Sequence, residues 1–572
     1  MVGATSVLDG AALHATVPAS RWCVTRADIA DFGCAVRRAV LLGEIAPTAA
    51  DDFDPGSGPN IYTVTAQLIK PVTARCGNAS WALMLHPEGL ECDLFITHCW
   101  SEGTYEFVDK VLHSWPRVAR NAYCCMLSNP QNLNIAALVS DPQNSPFASA
   151  LRSAKCMLVV PNNAGSIYTR IWCVYEAFLS QSWNKPIFTA TAPVPGLWTR
   201  VSALVLVCLL CAGGSFLLLQ LTGAEYQHGL MCYPCLGVVS AAGLFTLILK
   251  PSWSLSVVNA LGSAGCGLLA GLSLRFCVTG RYRGLYSLVH PPEAAVMYAL
   301  GGVFFAFRGA DQLWAMEAEG ESSRLRRGFS GRLEDARCSV ALDRERILAE
   351  IRAQRQEAAV EHTLHVLISA GMSTAEIRFA AERHIDIAGA GSWSCALVWI
   401  VAVVFVAHPL THAWRGSSCV GALAWVPWAK ATEGIIWLGI FARSSPDRRG
   451  LAAAAGAKLG ALPYFAFWGA WVSHELLIAG DISHANCAPD LLGVVIWGPL
   501  MLLVSIVGLG GCAMVPSVGR WCVHLLLQHN SMSSFAPGSP PDECADSGSS
   551  DSEDGSSLKS SPRSAPSVHG GR

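Results

Sequence analysis

The stretch CMLVVPNNAGSIYTRIWCVYEAF, residues 156–178, sets the fold class expected for this chain. Its apolar start, residues 156–161, predicts a buried strand, a polar loop follows, and residues 168–182 have the pattern of a helix. A buried strand that leads through a short loop into a helix is the repeating unit of a parallel sheet covered by helices. Glu176 is the only acidic residue in this stretch, so its surroundings decide whether it serves chemistry or packing.

The same alternation continues on both sides of this stretch. Residues 92–99, 121–127 and 186–190 predict three further strands. Between the strands, one helical face collects Tyr105, Phe107, Val108, Val111, Leu112 and Trp115, and Ser145 followed by Pro146 starts another helix. This order predicts an α/β domain with a flavodoxin-like parallel sheet over residues 89–195. Ligands of such sheets bind beyond the carboxyl ends of the strands, where the loops 97–103 and 161–168 are expected to meet.

The composition is that of a membrane protein. Of 572 residues, 52% are hydrophobic and 14% charged, and the net charge of −2 argues against nucleic acid as a partner. Residues 201–221 carry no charge and reach about 31 Å as a helix, enough to cross the hydrocarbon core of a bilayer. An all-α polytopic membrane domain of eight transmembrane helices follows, in two groups (196–307 and 392–515); the other spans are 231–249, 254–274, 289–307, 393–413, 419–441, 451–474 and 491–514.

Three further segments complete the predicted organisation. Residues 1–88 form an N-terminal extension in which 60–69 has the pattern of a strand, and residues 516–572 form a disordered tail. Residues 308–391 hold 12 Arg, no Lys and 14 Asp or Glu, which places them in water. Within them, apolar positions before Gly371 predict a helix that stops at this glycine, and the capping-box pattern of Ser373 and Glu376 predicts the start of a second helix. This helical hairpin either couples to a partner or packs on the α/β domain. The basic loop 442–450 places both termini in the cytosol by the positive-inside rule. Arg275, Arg281 and Arg283 then fall outside and disagree with the rule, so a re-entrant or misassigned segment among spans two to four is the alternative.

Two features of the predicted spans have alternative interpretations. Lys430 and Glu433, with Lys458 in the next span, form either an ion or substrate path, as in a transporter or channel with a regulatory cytosolic domain, or a buried structural ion pair. The glycines at 262, 265, 267 and 271 favour close helix packing, which also occurs without dimers. The 22 cysteines are interpreted as reduced apolar residues, and no metal site is expected.

The two cleft-forming stretches resemble a known family. DLFITHCW, residues 93–100, and ALRSAKCMLVVPNNAGSIYTRIWCVYEAF, residues 150–178, are similar to the Toll/interleukin receptor (TIR) domain, which has an opening strand and a later Y-x-x-S-x-W-C-x-x-E-L segment. Tyr168, Trp172, Cys173 and Glu176 match this segment, whereas Arg170-Ile171 replaces its serine. The resemblance covers about 100 residues and does not extend to the predicted spans.

The resemblance implies two alternative roles. In TIR domains that hydrolyse NAD the glutamate of this segment is catalytic, which implies Glu176 as the catalytic residue, with His98, Trp100, Tyr168 and Trp172 around the substrate. NAD would then be a substrate, and no cofactor is expected. Other TIR domains are non-catalytic signalling modules that associate with their own kind, and Glu176 would then pair with Arg170 or another cation at the surface. Both roles imply a membrane-anchored signalling or assembly protein.

Overall fold

The computed structural model describes a large part of the first 400 residues. The described residues are 9–163, 165–223, 228–248, 253–279, 291–338, 340–382, 387 and 395–400. The proposed intramembrane charges Lys430, Glu433 and Lys458 lie outside these residues, as do the predicted tail and all but the start of the last four predicted spans.

Six short strands and eighteen α-helices are found within the described residues. The strands are β1 (Val24–Thr25), β2 (Leu94–Thr97), β3 (Asn121–Cys124), β4 (Cys156–Val159), β5 (Ile187–Thr189) and β6 (Met372–Ser373). The helices up to β5 are α1 (Gly10–Thr16), α2 (Arg26–Leu41), α3 (Ile61–Val64), α4 (Lys70–Arg75), α5 (Trp81–Leu85), α6 (Thr104–Ser114), α7 (Cys125–Ser128), α8 (Ile135–Leu138), α9 (Pro146–Ser153) and α10 (Ile171–Ser182). Those after β5 are α11 (Leu197–Thr222), α12 (His228–Ile248), α13 (Trp253–Thr279), α14 (Pro291–Arg326), α15 (Ala341–Ala353), α16 (Glu357–Ala370), α17 (Ala375–Glu382) and α18 (Cys395–Ile400).

The strands form one mixed sheet in the order β1-β3-β2-β4-β5-β6. The four central strands, predicted from residues 92–190, are parallel to one another, which confirms the α/β class. The two edge strands are antiparallel to their neighbours and come from outside residues 89–195, one from the predicted extension and one from the Arg-rich segment. We call residues 9–190 and 322–382 together the α/β unit.

Alternate residues of each central strand pack on opposite faces of the sheet. Phe95 and Met157 belong to one buried cluster, whereas their neighbours Leu94, Ile96 and Leu158 belong to the other. Since successive side chains of a strand point to opposite faces, strands that are apolar at every position need cover on both sides. Helices α2 and α6 cover one face, and α9, α10, α15 and α16 cover the other.

The prediction of a strand at residues 60–69 is wrong, because this segment is helical. Asn60 caps α3 through a hydrogen bond that its Oδ1 accepts from the Thr63 amide at 2.9 Å, and a π-helical turn, Thr65–Ile69, continues the helix. Ile61 and Val64 are buried against the sheet, so a helical face satisfies the same apolar positions that suggested a strand. The preceding residues approach Gly103 so closely that a Cβ there would lie 2.3 Å from the Ser57 carbonyl oxygen.

The first helix predicted in the Arg-rich segment is broken into two helices, α15 and α16, and the predicted second helix is α17. The α15–α16 segment packs on the α/β unit. Its buried side chains join the same core as Tyr175 and Phe178 of α10; they are Ile347, Leu348, Ile351, Val360, Leu364, Leu367 and Ile368. Gly371 ends α16 in the left-handed region with φ 75°, and the chain then enters β6. Residues that look like a separate loop in the sequence therefore complete both the sheet and its cover.

Helices α11 to α13 and the first part of α14 form a helical bundle. Two helical segments, α11 and Ser254–Thr279 of α13, are long and apolar enough to cross a membrane, and α11 leaves a row of leucines exposed. The described parts of the predicted spans 231–249 and 289–307, residues 231–248 and 291–307, are also helical and belong to α12 and α14. A Cβ at Gly267 or Gly271 would meet α11 backbone oxygens at 2.2 and 2.1 Å, so these glycines serve contacts within the chain.

Helix α14 belongs to both parts of the structure. It has 36 residues and is therefore about 54 Å long. Phe305, in its first half, packs in the bundle core, whereas Leu325, near its end, is buried in the core of the α/β unit. One continuous helix thus connects the bundle to the sheet.

We predict that residues 1–195 alone will not form a stable soluble domain. Removing α15 and α16 uncovers seven buried apolar side chains, each worth about 1.5–3 kcal/mol, which together match or exceed the whole stability of a typical domain. Circular dichroism and size-exclusion chromatography of fragment 1–195 should show aggregation or loss of cooperative unfolding. A chain that joins 1–195 to 318–387 through a long Gly/Ser linker serves as the control and should stay soluble and unfold cooperatively. Cooperative unfolding of the short fragment would contradict the role of α15 and α16 in covering the sheet.

Candidate functional site

A cleft lies at the carboxyl ends of β2 and β4, where the strand order changes direction. The chain passes from β2 to β3 on one side and returns to β4 on the other, so the loops after β2 and β4 diverge. Such a switch point is the usual ligand-binding position of an open α/β sheet. The cleft has a volume of about 170 Å³ and is lined by Ile96, Thr97, His98, Trp100, Cys125, Asn129, Gln131, Ile135, Val139, Phe147, Arg170, Trp172, Cys173 and Glu176. Ligand pockets are typically 300–1,000 Å³, so the cleft suits one sugar-sized group of a larger ligand.

Glu176 lies inside this cleft and is 6% exposed. It is in the second turn of α10, and no Lys, Arg or His nitrogen of the described residues lies within 4.0 Å of its carboxyl oxygens. Its Oε2 is buried and accepts no hydrogen bond in this part of the chain. The alternative of a surface pair with Arg170 is therefore wrong, because the carboxyl group is buried and faces the cleft.

The environment of Glu176 favours its protonated form. Burial raises the pKa of Glu176 to about 7, and the nearby Thr97 hydroxyl and Arg170 charge oppose this rise only in part. No hydrogen bond of normal geometry joins the Thr97 hydroxyl to this carboxyl group. A carboxyl group with a pKa near neutrality exchanges its proton easily at physiological pH, which suits acid, base or charge-stabilising roles.

His98 is part of a buried row of three side chains. Its Nε2 lies 3.1 Å from Cys125 Sγ, and its Nδ1 lies 3.0 Å from Glu102 Oε1. Burial lowers the pKa of His98 to about 3 and raises the pKa of Glu102 well above its usual value. His98 is therefore neutral at pH 7 and supports the wall of the cleft instead of supplying a cation, and burial favours the protonated form of Glu102.

The aromatic residues predicted around the substrate separate into two groups. Trp100 and Trp172 line the cleft, where Trp100 Nε1 donates to Cys125 Sγ at 3.3 Å. Phe147, which the sequence did not single out, packs against Trp172 with a centroid distance of 5.3 Å. Tyr168 is fully buried, packs against Phe329 in the core and does not line the cleft, so its predicted role in binding is replaced by one in packing.

The loop between β4 and α10 is held by the end of α14 and the segment after it. The Ser166 amide donates to the Arg327 carbonyl at 2.8 Å, and Arg327 Nη1 donates to the Asn163 carbonyl at 2.9 Å. Further along, the Ile171 amide donates to the Arg337 carbonyl at 2.9 Å. The loop that leads to Glu176 is thus fixed by residues 327–337.

A buried ion-pair network attaches α14 to the same loop. Lys110 Nζ of α6 lies 2.8 Å from Glu106 Oε1 and 2.8 Å from Glu321 Oε2, and it donates to the Pro161 carbonyl at 2.7 Å. The Lys110 and Glu321 side chains are 1% and 0% exposed, and Arg324 also pairs with Glu321. Sequence analysis missed this network, although Lys110 falls between Phe107 and Val111 on the apolar face predicted for α6.

Comparisons of the chain with protein-family models, curated proteins and solved structures find no match in any of the three. The similarity to TIR domains accordingly rests on the residues quoted above, and the functional argument rests on the cleft.

We predict that Glu176 makes the stability of the protein pH-dependent between about pH 4.5 and 7. In this range the unfolded chain has released the Glu176 proton and the folded chain still holds it, so stability falls as the pH rises. Between pH 4.5 and 7.5 the free energy of unfolding of the wild type should fall by about 3 kcal/mol more than that of Glu176→Gln. Thermal unfolding of both proteins at a series of pH values measures it.

A matched variant tests whether this effect belongs to the cleft. Glu91 is exposed, so Glu91→Gln should keep the pH dependence of the wild type. If wild type and Glu176→Gln change in parallel from pH 4.5 to 7.5, the carboxyl group is not protonated in the folded cleft.

Proposed function

We propose that this chain is a membrane-anchored signalling protein whose TIR-like α/β unit cleaves NAD at the Glu176 cleft. The observation that carries the proposal is the position of Glu176, a buried carboxyl group without a cationic partner among the described residues, at the switch point of a parallel sheet. The alternative of a transporter or channel depended on Lys430, Glu433 and Lys458, so no described residue bears on it.

Glu176 has the chemistry needed to break the bond between nicotinamide and ribose. The bonding electrons leave with nicotinamide, and the ribose carbon becomes oxocarbenium-like. The ionised Glu176 carboxylate stabilises this positive charge from a buried position, where electrostatic interactions are strong. The oxygen of a water molecule then bonds to the ribose carbon, and one of the two protons of that water passes to solvent, which gives ADP-ribose. Since the carboxylate is the active form, the rate should rise with pH through about 7.

The membrane part of the proposal is a multi-pass anchor with the α/β unit and both termini on the cytosolic side. Two helical segments have the length and apolar character for crossing, and the exposed leucines of α11 suit contact with lipid. Helix α14 supports a signalling role because it begins in the bundle and its Glu321 pairs with Lys110, which binds the loop before Glu176. Homotypic association through the α/β unit is part of the proposal on the family resemblance alone.

The test of catalysis uses the full chain in lipid nanodiscs. Wild type should release nicotinamide from NAD, and Glu176→Gln should lower the rate roughly 100- to 1,000-fold, because one stabilising group for the transition state is lost. Glu91→Gln should retain the wild-type rate. Absence of release from the wild type, or equal release from wild type and Glu176→Gln, would rule out this catalytic role.

A second prediction concerns the attachment of α14. Lys110→Met should destabilise the protein by about 3 kcal/mol, because Glu321 and Glu106 lose a buried cation. Hydrogen exchange of residues 161–170 should also increase, since Lys110 no longer binds the Pro161 carbonyl. Thermal unfolding and mass-spectrometric hydrogen exchange in nanodiscs provide the two measurements.

Lys155→Met is the matched control for this prediction. Lys155 also pairs with a carboxylate, Asp93, at 2.7 Å, but its side chain is 56% exposed. Its loss should cost about 1 kcal/mol or less and leave exchange in residues 161–170 unchanged. Equal effects of the two lysine substitutions would show that the buried network has no special role.

A further inference from the structure

Arg170 places a positive charge in the cleft without a matching negative one. It is the N-cap residue of α10 and lines the cleft together with Glu176. Its Nη1 donates to the His98 carbonyl at a long 3.4 Å, and no carboxylate of the described residues lies within 4.0 Å of its guanidinium group. A half-buried guanidinium group usually has an anionic partner, because the loss of hydration is otherwise uncompensated.

The groups around Arg170 do not supply this partner. Burial raises the pKa of Cys125 to about 12 and also raises the pKa of Cys173, so both thiols are neutral at pH 7. The Glu102 and Glu176 carboxyl groups feel the charge of Arg170 from more than 4.0 Å away, and burial favours the protonated form of each. The guanidinium group therefore stays charged at physiological pH, whereas Glu176, with a pKa of about 7, is ionised only in part.

We infer that Arg170 binds a phosphate group of the ligand, so that the cleft takes phosphorylated nucleosides and discriminates against unphosphorylated ones. This inference rests on the proposed function and names the substrate class of the same site. Two further features favour it. Arg170 precedes the N-terminus of the 12-residue helix α10, which attracts anions. Among the described residues the buried Glu176 Oε2 accepts no hydrogen bond, so a sugar hydroxyl can donate one to it.

The aromatic residues near the cleft suit the base of a nucleotide. Trp172 packs against Phe147, and Trp100 packs against Tyr62, which is more than half exposed, with a centroid distance of 5.3 Å in each pair. Partly exposed aromatic rings provide stacking surfaces for a planar base. Guanidinium, carboxyl and aromatic groups around one cleft thus match the phosphate, sugar and base of a nucleotide.

The experiment measures binding instead of turnover. AMP and adenosine differ only in the phosphate group, and isothermal titration of the full chain in nanodiscs gives the affinity of each. Wild type should bind AMP at least about tenfold more tightly than adenosine, since a bidentate arginine–phosphate contact is a strong charge-assisted interaction. Arg170→Gln should remove most of this difference and leave adenosine affinity unchanged. Arg120→Gln, with a side chain that is 84% exposed, is the control and should behave as wild type.

Arg170→Lys keeps the inference testable if Arg170→Gln does not fold. Lysine retains the charge and loses the bidentate geometry, so AMP should bind several-fold more weakly while adenosine is unaffected. Equal affinity of wild type for AMP and adenosine, no binding of either, or unchanged AMP affinity in folded Arg170 variants would overturn the inference. Arg170-dependent AMP binding without NAD cleavage would refute the proposed function alone, and NAD cleavage with equal binding of AMP and adenosine would refute the phosphate contact alone.

Discussion

The need to cover both faces of a parallel sheet determines how this chain is organised. The central strands are apolar on each side, and the face formed by Phe95 and Met157 is covered by α10 together with α15 and α16. Those last two helices come from a part of the chain that follows four helices of a different, more apolar kind. Folding of the sheet therefore requires the chain to return from the bundle, and this return brings α14 and residues 327–337 against the loop before Glu176.

The central part of this architecture follows from local sequence patterns. The strands at 92–99, 121–127, 156–161 and 186–190 were predictable because their apolar runs are short and bounded by turn residues, and α9 because Ser145 and Pro146 are strong start signals. The edge strands β1 and β6 have two residues each, which is too short for any periodicity, and their pairing depends on tertiary contacts. The helix at 61–69 was missed because the spacing of its apolar residues fits a strand as well as a helix. Burial of Ile61 and Val64, a tertiary effect, decides for the helix.

For the candidate site, too, part of the arrangement was predictable from the sequence and part was not. The βα order was enough to place Glu176, Trp172 and the loop after β2 at one end of the sheet, because that position is a property of the topology. It was not enough to show that Tyr168 faces the core, that Cys125 lies beside His98 or that no carboxylate in the described part of the chain pairs with Arg170. These facts depend on side-chain direction and on segments far away in the sequence. The uncharged state of His98 likewise comes from burial, which a sequence pattern does not report.

Because α14 is long and continuous, a change of its tilt in the bundle would move Glu321 at its other end. From Phe305, held in the bundle, to Glu321, held by Lys110, the helix forms a stiff arm of about 24 Å. A tilt of about 5° around the bundle end would displace the far end by about 2 Å, a distance comparable to the difference between a formed and a broken hydrogen bond. A small reorientation of the apolar helices would therefore move the loop before Glu176, while the strands of the sheet could keep their positions.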